Sequence, residues 1–238
     1  MMKKQNGFTF IELILTMVLS AILAGIVVEI IAGPIRAYFN YTQRSYLVDT
    51  AEASLEMIEN DLNQSLPGSL NVKNQELEFR EILYKGMALP MQDQKARFLT
   101  LNEPLPKTVI DEIDQRPLFI VFPSVSANKE QLYSFALVNA ENAKQIKLND
   151  HPGFLNKPMP IYIVTQLTRY ECSQEQRTLQ RLTQLSASSS EKNLIANEVS
   201  DCQFTRLANE PKGVLVSFRL GTEKNHIELK QPIYVGSP

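Results

Sequence analysis

The chain has 238 residues, with 24 Lys and Arg against 26 Asp and Glu, and 44% of its residues are hydrophobic. This length suits one domain of roughly 170 residues behind a long helix. The formal net charge of −2 argues against a nucleic-acid-binding surface, which normally shows a basic excess.

The first segment combines a short basic leader with a long apolar stretch. Lys3 and Lys4 precede a run from Phe8 to about Ile35, which is long enough to cross a hydrocarbon core of about 30 Å as a helix. Positive charge before the run predicts an N-in, C-out orientation. Glu12 interrupts the run. A carboxylate near the centre of a membrane helix costs about 2.5–3.5 kcal/mol, so it usually has a partner and a function.

Three interpretations of this segment compete. A secretory signal peptide is disfavoured, because cleavage after Ala21 or Ala24 would leave a leucine or an isoleucine where a small residue is needed. A plain signal anchor explains the length and the basic leader but not Glu12. The third interpretation is a processed signal in which Glu12 has a role of its own.

The run from Gly7 to Leu13 (GFTFIEL) resembles the class III signal of type IV pilin-like proteins, G-F-T-L-I-E-L, with Phe10 where leucine is usual. The resemblance implies that a membrane aspartyl peptidase cleaves between Gly7 and Phe8, that Phe8 is then N-methylated, and that Glu12 becomes the fifth mature residue. In a bundle of low dielectric constant, Glu12 would attract the Phe8 amine of a neighbouring subunit strongly and fix the register of the helices. The alternative is a Glu12 that stays protonated in the membrane.

The helical pattern continues beyond the apolar run. Gly33 and Pro34 predict a kink or local melting, and Pro67-Gly68 predicts a helix end near Ser65. We therefore expect one interrupted helix over about residues 8–65. Apolar residues recur along one face of its second half, at Leu47, Ala51, Leu55, Ile58 and Leu62. Acidic residues fall largely on other faces, at Asp49, Glu52, Glu56, Glu59 and Asp61.

Beyond Pro67 the period changes to two, which predicts strands. The predicted strands are Ser69–Val72, Glu76–Tyr84, Leu118–Phe122, Leu132–Val138, Ile161–Tyr170, Thr178–Leu185, Val214–Leu220 and His226–Lys230. The proline-rich region 85–116 is predicted as a long loop with a short helix, and residues 186–192 as a polar loop. One long helix followed by strands predicts an α+β fold with the helix packed on an antiparallel sheet.

This order matches the ladle fold of the pilin family. The resemblance divides the chain into a leader (1–7), a transmembrane and assembly helix (8–35), an amphipathic helix (36–66) and a periplasmic β-rich head (67–238). Several segments are similar to MSHA-pilus minor pilins of the MshO type: residues 48–52, 60–70, 161–172 and 194–204. Minor pilins of the PilW type and secretion pseudopilins of the J type share parts of this layout.

Cys172 and Cys202 are the only cysteines, and the pair alone is compatible with either a disulfide or two free thiols. Export to an oxidising compartment favours the disulfide. His151 and His226 are predicted to be solvated, and the acidic run 111–114 lacks the spacing of an EF-hand calcium loop. With no phosphate-binding loop and no nucleophile motif, we expect no enzymatic activity, cofactor or metal.

The resemblance implies a minor pilin that initiates, primes or caps a type IV pilus of the MSHA type. Its expected partners are other major and minor pilins, the prepilin peptidase and N-methyltransferase, and the inner-membrane assembly platform. We expect a single-pass inner-membrane protein with a periplasmic head before assembly and a pilus protein at the cell surface afterwards. Two alternatives stay open: a pseudopilin of a type II secretion system, and a membrane-anchored periplasmic binding protein or adhesin.

Overall fold

The computed structural model describes residues 9–66, 68–90, 98–123, 131–139, 143–150, 157–184, 189–208, 213–223 and 225–235. The chain divides into two compact units, residues 1–48 and 49–238. The first unit is helical, whereas the second, which we call the head, contains every described strand. A long N-terminal helix followed by antiparallel sheets confirms the predicted α+β class.

Helix α1 runs from Phe10 to Asn63, so it ends close to the predicted position. The prediction of local melting at Gly33-Pro34 is wrong, because the helix continues through Pro34. Proline removes one backbone donor from the helix, and the turns on both sides keep theirs. In the head, the stripe that includes Ala51, Ile58 and Leu62 is fully buried, as its spacing predicts.

The described part of the head contains fourteen strands and a second helix, α2 (Lys107–Ile113). The strands are β1 (Asn71–Lys73), β2 (Glu76–Phe79), β3 (Ile82–Pro90), β4 (Phe98–Leu101), β5 (Phe119–Val121), β6 (Tyr133–Leu137), β7 (Gln145–Leu148), β8 (Met159–Val164), β9 (Thr168–Ser173), β10 (Thr178–Gln184), β11 (Ser190–Asn197), β12 (Val199–Arg206), β13 (Gly213–Gly221) and β14 (His226–Tyr234).

These strands form three sheets. One has five strands in the order β1-β2-β9-β10-β11, and another has three in the order β12-β13-β14. The remaining six close into a barrel in the order β3-β4-β7-β6-β5-β8. Every strand pairing is antiparallel, and closure leaves the barrel without an open edge.

The barrel is an insertion within the five-stranded sheet. Strand β2 pairs with β9, and Phe79 lies opposite Thr168, although all six barrel strands separate them in the chain. The barrel has its own core, with Leu99, Ile120 and Ile146 fully buried and Val109 contributed by α2. The chain therefore leaves the sheet, builds a second core and returns beside its point of departure.

Several strand predictions are wrong in extent. The predicted strand Glu76–Tyr84 is two strands that belong to different sheets, and so is Ile161–Tyr170. The predicted loop 85–116 contains most of β3, β4 and the expected short helix. The predicted polar loop 186–192 overlaps β11, which begins at Ser190.

Candidate assembly helix and the polar cluster of the head

Glu12 lies in the first turn of α1, where the backbone N–H groups of Glu12 and Leu13 both donate to the carbonyl of Thr9. The start of a helix carries partial positive charge, so a carboxylate in this turn is electrostatically favourable. Gly7 and Phe8, the predicted cleavage and methylation residues, lie outside the described residues.

The first unit exposes almost all of its apolar surface. The most hydrophobic 18-residue window of α1 has a mean hydropathy of 2.6, and none of it is buried within the protein. Large apolar side chains are exposed all along this segment, with fractions from 45% at Ile14 to 79% at Phe10. A surface of this size is far beyond what a soluble monomer normally exposes, so it requires a bilayer or other helices around it. The helix is apolar and long enough to serve as a membrane anchor.

The acidic residues of the apolar run mark its two ends. Glu12 and Glu29 are 17 positions apart on a continuous helix, a rise of about 26 Å. That distance approaches the thickness of a hydrocarbon core of about 30 Å. If Glu29 lies at one membrane boundary, Glu12 lies close to the other, where a carboxylate costs less than at the centre.

A polar cluster lies where α1 ends in the head. The Asp61 carboxylate accepts hydrogen bonds from the Tyr170 hydroxyl at 2.8 Å and from Arg181 Nε at 2.7 Å. Arg181 also donates to the Thr183 hydroxyl at 3.0 Å and lies 3.5 Å from a carboxylate oxygen of Glu81. The helix is thus joined to β9 and β10 by one charged and hydrogen-bonded network.

Burial sets the proton affinities of this cluster. Burial raises the pKa of Glu81 above the usual carboxyl range, although Arg181 opposes the shift. Burial and the Asp61 charge raise the pKa of Tyr170 far beyond its usual range, so its hydroxyl stays protonated and remains a donor. Burial lowers the pKa of the Arg181 guanidinium, but Asp61, with smaller contributions from Tyr170 and Glu81, more than offsets this and leaves that pKa raised. The cluster therefore holds a permanent cation between carboxylates.

The segment after α1 is hydrogen-bonded to the entrance of the barrel. Leu66 N–H donates to the Arg80 carbonyl, and Ile82 N–H donates to the Gln64 carbonyl, each at 2.7 Å. At the exit, Thr165 N–H donates to the Glu81 carbonyl at 3.0 Å. We call this the junction: residues 64–66, 80–82 and 165. It links the end of α1 to both strands that connect the barrel with the sheet.

Cys172 of β9 and Cys202 of β12 form a disulfide. Both residues are buried, and the bond joins the five-stranded sheet to the three-stranded one. Phe204 N–H also donates to the carbonyl of Asn74, in the turn between β1 and β2. The two sheets are therefore held together covalently as well as by packing.

The other residues singled out in the sequence do not converge. His226 is exposed at the start of β14, and His151 lies outside the described residues. The acidic run 111–114 ends α2, where Glu112 pairs with Arg116 at 2.6 Å. Among the described residues, no group of three or more His, Cys, Asp and Glu side chains is placed to hold a metal ion.

The helical pattern predicts that the acidic residues of α1, including Glu59 and Asp61, lie largely on faces away from the core, and it does not reveal the roles of these two. Both are half-buried: Asp61 joins the polar cluster, and Glu59 accepts a hydrogen bond from Gln231 at 3.1 Å. Their positions beside the buried Ile58 and Leu62 were the available signal, since a carboxylate at the edge of a buried stripe needs a partner.

Residues 2–28 match the family model of the prokaryotic N-terminal methylation motif. The match covers the leader from residue 2 through Gly7, then Phe8, Glu12 and the apolar run as far as Val28. With the exposed apolar helix and the α+β fold, it supports a type IV pilin-like protein, a class of structural subunits. No curated protein and no solved structure matches the chain.

Proposed function

We propose that this protein is a minor pilin, a subunit that initiates, primes or caps a type IV pilus of the MSHA type. It is cleaved between Gly7 and Phe8, Phe8 is N-methylated, and the apolar helix holds the precursor in the inner membrane with its head in the periplasm. The observation that carries this proposal is the methylation motif at the start of a helix whose apolar surface is not covered by any of the described residues.

In the assembled state, Glu12 pairs with the methylated Phe8 amine of a neighbouring subunit. The amine exists only after cleavage, so processing supplies the partner that a carboxylate in an apolar bundle needs. The partners are other pilins, the prepilin peptidase and methyltransferase, and the assembly platform. After assembly the protein is at the cell surface.

The inserted barrel supports a position at the start or tip of the filament. A head that carries a second closed barrel is bulky, and bulk is easier to accommodate where subunits are not packed on every side. A pseudopilin of a secretion system carries the same N-terminal motif, so the motif favours it equally. Deleting the gene distinguishes the two, because a pilus subunit affects surface pili and a pseudopilin affects protein secretion.

The cleavage step is tested by Gly7→Ala, which removes the residue before the proposed cut. We expect the precursor to accumulate as a band longer by seven residues, with intact mass spectrometry identifying both forms. Gly25→Ala is the matched control, because its side chain would meet open space in the middle of the same helix. Normal processing of Gly7→Ala would refute the cleavage assignment.

The assembly step is tested by Glu12→Ala, with Glu29→Ala as the control from the other end of the apolar run. We expect Glu12→Ala to be cleaved normally but to be lost from sheared surface pili on an immunoblot. Wild-type incorporation of Glu12→Ala would remove Glu12 from the assembly contact.

A further inference from the structure

One face of the barrel is apolar and basic, and no described part of the chain covers it. Strand registers place Lys85 opposite Tyr162, Met87 opposite Pro160, and Leu89 opposite Thr100 on its outer surface. Met87 and Leu89 are 38% and 41% exposed. We call this the β3 face; its side chains are Lys85, Met87, Leu89, Phe98, Pro160 and Tyr162.

At the end of the barrel that meets the junction, the same outer surface is covered by another part of the chain. Near the junction, Ile82 and Val164 lie opposite each other and are buried against Leu66, which follows α1. Further along the same outer surface, Met87 and Leu89 are exposed to solvent, and no described residue covers them. An exposed apolar patch that is rimmed by polar or charged side chains marks an interaction site.

Lys85 of the β3 face and Lys147, at its edge on β7, give this surface its charge. The Lys85 ammonium lies 5.8 Å from the centroid of the Tyr162 ring, and the Lys147 ammonium lies 6.0 Å from that of Phe98. These cation–π contacts hold both charges beside the apolar strip. None of the six side chains of the face is acidic, so its complement is a surface with carboxylates beside exposed aliphatic groups.

The head carries such a surface elsewhere. Asp49, Glu52 and Glu56 are exposed at spacings of three and four along α1, which places them on one helix face. Met57, at the edge of the solvent-exposed side of the same helix, is 42% exposed. We call this the acidic face of α1. None of the ion pairs found among the described residues involves its three carboxylates.

We propose that the β3 face of one copy of this chain binds the acidic face of α1 of a second copy. The two faces share no residue, so the contact is heterologous, and each copy keeps one face free for the next. Asp49 and Glu56 are separated by about 10 Å of helix. The strand registers and the rise per residue separate Lys85 and Lys147 by about 20 Å. The long side chains on both surfaces span the difference between this distance and the roughly 10 Å between the carboxylates.

An anionic membrane is the competing occupant of a basic and apolar face. Two lysines provide only a weak attraction to a lipid surface, at about 1 kcal/mol each. Charge complementarity with a face of the same chain favours the second copy. The contact does not depend on cleavage or on a filament, so it can be tested separately from the proposed function.

The test uses two single-cysteine variants of the full chain, Met57→Cys and Leu89→Cys, which are distinguished by tags and mixed in detergent. The native cysteines are joined to each other and do not react. A short bismaleimide should link the two variants into a mixed dimer at least about fivefold more than it links Met57→Cys to Tyr234→Cys, whose residue is exposed on β14. Equal yields for the two mixtures would overturn the proposal.

Charge reversal supplies the second arm. In the Leu89→Cys chain, Lys85→Glu with Lys147→Glu should reduce the mixed dimer about tenfold, because attraction becomes repulsion. Glu52→Lys with Glu56→Lys in the Met57→Cys chain should do the same, and mixing the two reversed chains should restore the dimer. Lys192→Glu on β11 is the control and should change nothing. A dimer that is insensitive to reversal, or is not restored by the double reversal, would refute the contact.

Discussion

Removing the Asp61 carboxylate should destabilise the head more than removing any exposed carboxylate of α1. Asp61→Ala deletes two charge-assisted hydrogen bonds, at 2.7 and 2.8 Å, and leaves Arg181 with Thr183 and a Glu81 oxygen at 3.5 Å. Breaking a buried ion pair costs about 3–5 kcal/mol. The Asp61 and Arg181 side chains are 18% and 20% exposed. We therefore expect the lower end of that range, about 3 kcal/mol in the free energy of unfolding.

The measurement is urea unfolding of the full chain in detergent, followed by near-ultraviolet circular dichroism. A slope of about 2–3 kcal/mol per molar urea converts this loss into a fall of about 1–1.5 M in the midpoint. Tyr170→Phe removes one hydrogen bond and leaves the ion pair, so it should cost about 1–2 kcal/mol. Glu56→Ala, on the exposed side of the same helix, is the control. A loss below about 1 kcal/mol for Asp61→Ala, the value of an exposed pair, would refute the reasoning.

Three further predictions concern other parts of the head. Burial raises the pKa of Glu81, so its stabilising contribution is present below the unfolded pKa and is lost as pH rises through the raised folded pKa. Glu81→Gln should therefore gain stability relative to wild type as pH rises above the unfolded carboxyl pKa of about 4, and the opposite trend would show that Arg181 governs this carboxyl. Replacing Cys172 and Cys202 by serine should lower the free energy of unfolding by about 3–4 kcal/mol, and an unchanged midpoint would contradict this. A Cβ at Gly86 would lie 2.5 Å from the ring of Tyr84. Gly86→Ala should therefore lower the free energy of unfolding by about 1–2 kcal/mol in the wild type but change it little in a Tyr84→Ala background. Equal losses in both backgrounds would exclude the clash.

The helical part of the fold could be predicted from local patterns. The stripe that includes Ala51, Ile58 and Leu62 repeats with the helical period, and Pro67-Gly68 stops the pattern within a few residues of the observed end. The prediction of local melting at Pro34 is wrong, because local rules account for the hydrogen-bond donor that proline removes and not for the hydrogen bonds that the neighbouring turns retain.

The barrel could not be predicted, because its evidence is non-local. Strands β4 and β7 have four residues each, too few for a convincing period, and they lie among prolines, charges and polar residues. Two predicted strands cross the boundary between the sheet and the barrel. The alternation of apolar and polar residues continues across this boundary, although the chain pairs with different strands on its two sides. The short connections 80–81 and 165–167 carry that change, and the local sequence does not distinguish them from strand.

The polar cluster depended on the same missing information. Asp61 is more than a hundred residues away from Tyr170 and Arg181 in the chain, and the pairing of β9 with β10 places the latter two opposite each other. The N-terminal motif is the opposite case. Its residues are contiguous in the sequence, so the motif can be recognised without knowledge of the tertiary structure.

The placement of the barrel between β2 and β9 has a mechanical consequence. Both connections leave from the same end of one antiparallel pair, so a pull on the barrel along the strands loads β2 and β9 in the same direction and does not peel one from the other. The force is then transmitted as shear from β2 to β1 and from β9 to β10. The hydrogen bonds between these strands run perpendicular to the pull, so all of them carry the force together. On β9 it also meets the Cys172–Cys202 bond, which transfers tension covalently to the three-stranded sheet. A head built in this way can carry force through an attachment at its barrel without opening at the point of insertion.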